Sequence, residues 1–99
     1  MKVYIAGRIS GVPDYWYPFG RAEQQLQDQG FIVLNPARLP DGMDKADYMR
    51  ICFAMIDSAD LVALLPGWET SQGARLEADY CQYIGKPVNS LDNILRASV

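Results

Sequence analysis

The stretch Asp60-Leu61-Val62-Ala63-Leu64-Leu65-Pro66, "DLVALLP", decides how this 99-residue chain is read. Its unbroken apolar run, closed by Pro66 and Gly67, is too short for a helix and lacks the alternation of a half-exposed strand. It reads as a strand buried on both faces, the pattern of a central parallel strand. Such a strand needs helices above and below it, and the flanking sequence supplies them. Upstream, Asp44 is expected to cap a helix that runs to about Ser58, in which Met49, Cys52, Phe53 and Ile56 form one apolar stripe. Downstream, a helix is expected from about Ser71 to Ile84, stopped by Gly85. Beyond it, "KPVNSL" at 86–91 reads as a further strand before a tail or short helix.

Toward the amino end, "FIVLNP" at 31–36 reads as a strand. Before it, Phe19, Ala22 and Leu26 have the core-face spacing of a helix from about Pro18 to Gln29, with Gly30 as its stop. "KVYIA", Lys2 to Ala6, is the first strand, halted by Gly7. The alternation β-α-β-α-β-α-β predicts an α/β, flavodoxin-like three-layer sandwich: a short parallel sheet in the order 2-1-3-4 with helices on both faces. In such sheets ligands bind beyond the carboxyl ends of the strands, where strand order reverses. Here the loops that leave Gly7 and Pro66 meet at that point.

A hydrophobic fraction of 49% and a charged fraction of 21% describe one ordinary domain over residues 1–99. Net charge is −3 with Lys and Arg scattered, which argues against a polymeric nucleic-acid partner. The apolar runs are far too short to span a membrane, and "MKVYIAGR" enters a strand instead of a signal-peptide core, so a cytoplasmic protein without membrane contact is expected. Cys52 and Cys81 lie on apolar helical stripes, as reduced buried thiols do. The chain has no histidine, which removes Ser-His and Cys-His nucleophile activation and the commonest nitrogen ligand of zinc. Neither a metal nor a cofactor is expected. Acid–base chemistry falls to Asp, Glu, Tyr, Cys or Lys.

The candidate site lies in "GWETSQGARLE", Gly67 to Glu77. With Ser71 as N-cap, the backbone N–H groups of the next turn face outward, and Gly73 lets a ligand approach them; such helix starts bind phosphate or carboxylate. On the helical wheel Glu77 shares a face with Ala74, Ala78 and Cys81, the small residues expected against the sheet. A carboxylate thus stands where an apolar residue belongs. Burial of an unpaired carboxylate is costly, so the position calls for a partner such as Tyr4, Arg8 or a backbone donor, or for a catalytic role as nucleophile or general base. Gly7, Arg8, Ser10 and Gly11 are candidates for a second wall. Tyr4 is a core tyrosine or a partner of the glutamate, and Trp68 stacks on a base or serves an interface. Tyr15, Trp16 and Tyr17 cover either a ligand or a subunit contact. Asp60 is expected to position the third strand, and Asp57 to be a solvated helix-end residue.

Three segments carry a family resemblance: "VYIAGRISGVPDY" at 3–15, "VLNPARLP" at 33–40 and "DLVALLPGWETSQGARLEADYCQYIGKPV" at 60–88. Together they resemble a small family, common in phages and prophages, that looks like a minimal nucleoside 2-deoxyribosyltransferase. The most specific element, P-G-W-E-x-S-x-G-A-x-x-E, matches from Pro66 to Glu77. The resemblance extends to the 2′-deoxynucleoside 5′-phosphate N-hydrolases. It implies that Glu77 is a nucleophile toward the anomeric carbon and that Ser71 helps hold a 5′-phosphate; Tyr4 is the candidate from the residues themselves to orient the glutamate. From the reading of the loops, Gly7, Arg8, Ser10, Gly67, Trp68 and Gly73 are further candidates for substrate and phosphate contacts, and Arg8 stands where many members of the small family have proline. The relatives carry a further aspartate on the helix before the third strand, and here that position is Cys52, which leaves Asp57 or Glu69 as substitutes.

The activity expected is that of an N-glycosidase or deoxyribosyltransferase acting on a small nucleoside or its 5′-monophosphate. The alternative is a module that binds a nucleotide or ribose-phosphate in the same pocket without cleaving it. The resemblance also implies a homodimer or higher homo-oligomer, and a second stripe of the third helix, Leu76, Tyr80 and Tyr83, is the candidate interface.

Overall fold

The computed structural model describes residues 1–97. The central run forms β3 (Leu61–Leu64), which lies between β1 (Lys2–Ala6) and β4 (Val88–Ser90), while β2 (Ile32–Leu34) pairs on the far side of β1. All the pairings are parallel and the order is β2-β1-β3-β4, as the alternation predicted. Val3 lies opposite Leu61 and Ala6 opposite Leu64, so the carboxyl ends of β1 and β3 finish side by side.

Successive side chains of a strand point to opposite faces, and on β1 both sets are buried. Val3 and Ile5, with Ala63 and Leu65, pack against Phe19, Ala22 and Leu26 of α1 (Trp16–Asp28) and Leu91 and Ile94 of α4 (Leu91–Ala97). Tyr4 and Ala6, with Val62, pack against Cys52 and Ile56 of α2 (Lys45–Ser58) and Cys81 of α3 (Gln72–Ile84). Each large side chain so buried contributes roughly 1.5–3 kcal/mol, which explains why these strands show no polar alternation.

Element ends differ from the sequence reading where local chemistry intervenes. α1 begins at Trp16, so Pro18 falls inside its first turn, where a missing N–H costs nothing. Gly30, at φ 91°, turns the chain out of α1, and Phe31 N–H donates to Leu26 O at 3.1 Å. β2 stops before Asn35, whose side chain accepts from Ala37 N–H at 2.9 Å and starts a 3₁₀ turn, Pro36–Arg38. Asp44 precedes α2, but its carboxylate makes no cap; its carbonyl accepts from Tyr48 N–H at 3.1 Å. β4 is shorter than 86–91: it begins only at Val88, and Leu91 already opens α4.

Asp60 accepts from the Lys2 backbone N–H at 2.8 Å and ties the start of β1 to β3. Asp57 is engaged by the Tyr80 hydroxyl at 2.7 Å, and the Tyr80 ring stacks on Phe53 with centroids 4.4 Å apart. Of the expected interface stripe, then, Tyr80 packs within its own chain, whereas Leu76 and Tyr83 are exposed at 48% and 91%. On the α1 side, buried Glu23 accepts from Asn35 Nδ2 at 3.1 Å and from Arg38 Nε at 2.8 Å, with Arg38 Nη2 on its other oxygen. Among the described residues no helix is long and apolar enough to cross a membrane.

Candidate functional site

Beyond the carboxyl ends of β1 and β3 the chain encloses a cleft of about 570 Å³, within the range of small-molecule sites. One wall is the start of α3. Gly67, at φ 85°, turns the chain from β3 into a 3₁₀ turn, Trp68–Thr70, which delivers Ser71 to the N-cap. Ser71 Oγ accepts from Ala74 N–H at 3.1 Å, and its carbonyl accepts from Arg75 N–H at 3.0 Å. Gln72 and Gly73, the first two residues of the helix, whose N–H groups have no acceptor within it, line the cleft. A Cβ at Gly73 would meet only Ser71 Oγ, at 3.9 Å. Packing does not require a glycine there, so its missing side chain leaves space to the cleft.

One turn further, Glu77 is 6% exposed, and its Oε2 accepts from the Tyr4 hydroxyl at 2.8 Å. Tyr4 is fully buried on the central strand, so the donor is held by the core itself. Cys52 reaches the same spot from α2, and its thiol interacts with both partners. Burial pushes the Glu77 carboxyl up to about 7, against the pull of the Tyr4 and Cys52 hydrogen bonds. Burial and the neighbouring glutamate raise Tyr4 well above its ordinary range, and burial lifts Cys52 to about 11. At neutral pH the two donors are therefore neutral, while Glu77 is poised between its protonated and charged forms.

The opposite wall is the loop after β1. Arg8 donates from Nε to the Ser10 carbonyl at 3.1 Å and from Nη1 to Thr70 Oγ1 at 3.2 Å, which joins this loop to the start of α3. Gly7 lines the cleft, and a Cβ there would fall 3.1 Å from Leu65 and Phe19, a tight contact that a side chain at this position would make only if these neighbours shifted by a few tenths of an ångström. The outer wall comes from the segment between β2 and α2, through Pro36, Leu39 and Asp41, and from the first turns of α2, through Lys45, Tyr48 and Met49. Tyr15 donates to Asp41 Oδ1 at 2.8 Å across the gap between the first and second loops.

The fold thus brings together Tyr4, Gly7, Arg8, Ser10, Ser71, Gly73 and Glu77 of the residues singled out in the sequence. It leaves Gly67 and Trp68 outside the cleft wall, where they shape the turn that aims α3. Asp57 and Glu69 are not in the wall either, and Asp57 is held by Tyr80. Besides Glu77, the carboxylate in the wall is Asp41, which the sequence reading passed over. Asp41 belongs to a loop without periodicity, and Lys45 and Tyr48 to the first turn of α2, ahead of its apolar stripe. Their one legible signal was position, after the carboxyl end of the strand beside β1.

The chain belongs to the family described as a domain of unknown function, DUF4406, whose model matches residues 1–90. Among solved structures it is similar to the 2-deoxyribosyltransferase of the psychrotolerant bacterium Bacillus psychrosaccharolyticus, described as a biocatalyst for the synthesis of antiviral and antitumoral nucleosides. The two are 23% identical with a TM-score of 0.70, over 89% of this chain and 69% of that one, a likeness of fold. No curated protein matches the sequence.

Proposed function

We propose that this cleft binds a small nucleoside or its 5′-monophosphate and breaks the N-glycosidic bond, with Glu77 as the nucleophile. One observation carries the reading: a glutamate buried on the core face of α3, held at 2.8 Å by a tyrosine of the central strand, at the foot of a ligand-sized cleft. A carboxyl so placed costs stability, and its pKa near 7 is of the kind found at functional sites. The similarity of fold to a 2-deoxyribosyltransferase agrees with this assignment.

In the proposed reaction a Glu77 oxygen forms a bond to the anomeric carbon while the bond from that carbon to the base nitrogen breaks, its electron pair leaving with the base. Tyr4 fixes the carboxylate by holding the other oxygen. Water or a second base then attacks the anomeric carbon and frees Glu77, which separates hydrolase from transferase. A 5′-phosphate is assigned to the end of the cleft where Ser71, the Gln72 and Gly73 N–H groups, Ser10 and Arg8 gather, since a helix start and a guanidinium both favour an anion. Gly7, Gly67 and Trp68 act on that end indirectly, through the loops they shape.

The second reading, binding without cleavage, is favoured by a specific feature: a neutral thiol, Cys52, beside Glu77, where the resemblance implies a second carboxylate. Exposed Leu76 and Tyr83 are offered as the contact surface of a homo-oligomer, for which light scattering at high concentration is the measurement; a monomer there removes that part. The central experiment is a screen of deoxynucleosides and their 5′-monophosphates at high protein concentration, with free base followed by chromatography. Base release that is lost in Glu77→Ala, with nucleotide binding kept, is the expected result. If no substrate releases base while an intact nucleotide raises the melting temperature, the binding reading replaces the first.

A further inference from the structure

The outer wall of the cleft is unlike its floor. Pro36, Leu39, Tyr48 and Met49 make this wall largely apolar, and Asp41 stands beside them, exposed, with one carboxylate oxygen taken by the Tyr15 hydroxyl at 2.8 Å. That bond uses Oδ1; among the described residues no donor reaches Oδ2. Tyr48 is anchored in turn by the Pro40 carbonyl and receives the Met43 N–H at 3.4 Å, so the segment that carries Asp41 is pinned on both sides. An oriented acceptor at the rim of an apolar slot is a device for reading the edge of a planar ring.

We infer that this wall is the nucleobase subsite and that Asp41 selects bases with an exocyclic amino group over their carbonyl counterparts. The inference rests on the reading of the cleft as a nucleoside site and names its substrate class. A carboxylate accepts from an amino group, as Asp and Glu do toward cytosine N4, whereas a ring carbonyl in the same place sets two oxygens against each other. Discrimination of this kind is large because the mismatched ligand leaves polar groups unpaired. Lys45, in the same wall, would favour the opposite, carbonyl-bearing edge. Its ammonium, on a flexible stem with no hydrogen bond among the described residues, must be ordered on binding, while Tyr15 has already ordered Asp41.

The test compares pairs that differ only at that edge, 2′-deoxycytidine with 2′-deoxyuridine and 2′-deoxyadenosine with 2′-deoxyinosine. Rates of base release are measured on the native protein and on Asp41→Asn, and dissociation constants on Glu77→Gln with and without Asp41→Asn. The expected result is a preference for the amino member of about tenfold or more in each pair, cut about tenfold by Asp41→Asn. Tyr15→Phe, which frees the carboxylate without removing it, should lower the preference by a smaller factor. Base release with no amino preference, or with a preference that Asp41→Asn leaves unchanged, overturns the inference and leaves the proposed reaction standing. Amino-selective binding lost in Asp41→Asn, without base release by any protein, upholds the subsite and overturns the reaction. No binding of any member overturns both.

Discussion

Glu23 and Glu77 lie on opposite faces of one sheet, each 6% exposed and each on the inward side of its helix, and they titrate in opposite directions. Glu23 of α1 faces Arg38 and Asn35, whose hydrogen bonds hold its carboxyl below the usual range despite burial. Glu77 of α3 faces a phenol and a thiol, and burial prevails. The difference lies in the partner. A cation stabilises the charged form, while neutral donors stabilise it too little to offset the lost water. Glu23 serves the scaffold by fixing the turn after β2 to α1; Glu77, buried beside neutral donors, costs stability in its charged form.

The strongest way to break this contrast is the pH dependence of turnover. If Glu77 is the nucleophile, kcat/KM for base release should fall as pH drops through about 7, where its carboxyl takes up a proton. Glu77→Gln should reduce turnover by about 10³-fold or more at every pH, the usual scale for removing a nucleophile. Activity that persists in that variant ends the comparison as a functional one.

A smaller effect is expected in stability, with a sign that tells the two glutamates apart. Because the folded pKa of Glu77 exceeds that of the unfolded chain, the native state binds the extra proton. Its relative stability is full below about 4.5 and declines as pH rises through 7. Glu77→Gln should therefore gain up to about 3 kcal/mol above pH 7 and little at pH 4, by denaturant unfolding. Glu23→Gln should do the reverse. Its pair with Arg38 contributes above the unfolded carboxylate pKa and fades as pH falls through the lowered folded value, so the variant should lose about 1–2 kcal/mol at pH 7 and approach the native protein in acid. A native-like unfolding midpoint for both variants across that window would erase the distinction.

The smallest change expected is at the helix start. Ser71→Ala removes the cap on Ala74 N–H and should cost about 1 kcal/mol by thermal unfolding. If a 5′-phosphate binds at the start of α3, the same variant should also weaken monophosphates more than the matching nucleosides. Equal weakening of both would move the phosphate away from α3.

Much of this was legible in the chain itself, for reasons that are local. The continuous run 61–65, the stripes Phe19-Ala22-Leu26 and Cys52-Ile56, and Gly30 and Gly85 after their helices report burial on both faces, the 3.6-residue period and left-handed stops. From these the order 2-1-3-4 followed, because right-handed crossovers leave few alternatives. Ser71 and Glu77 were legible in the same way, one as a cap and the other as a charge out of place on an apolar face. Glu23 breaks the pattern of α1 in the same manner and went unread, since its partners come from the turn after β2.

What the sequence determined by itself, then, was the frame, a parallel sheet with Glu77 on the inner face of the helix after its central strand. Tertiary structure alone decided which residues meet there. It drew Asp41, Lys45 and Tyr48 into the cleft, set Gly67 and Trp68 behind it, and paired Asp57 with Tyr80. It also gave one buried glutamate a cation and the other a tyrosine. The physical reason is that periodicity and caps are read within a few residues of chain, whereas a pKa, a cleft wall or an ion pair depends on loops that close over tens of residues and leave no local signal.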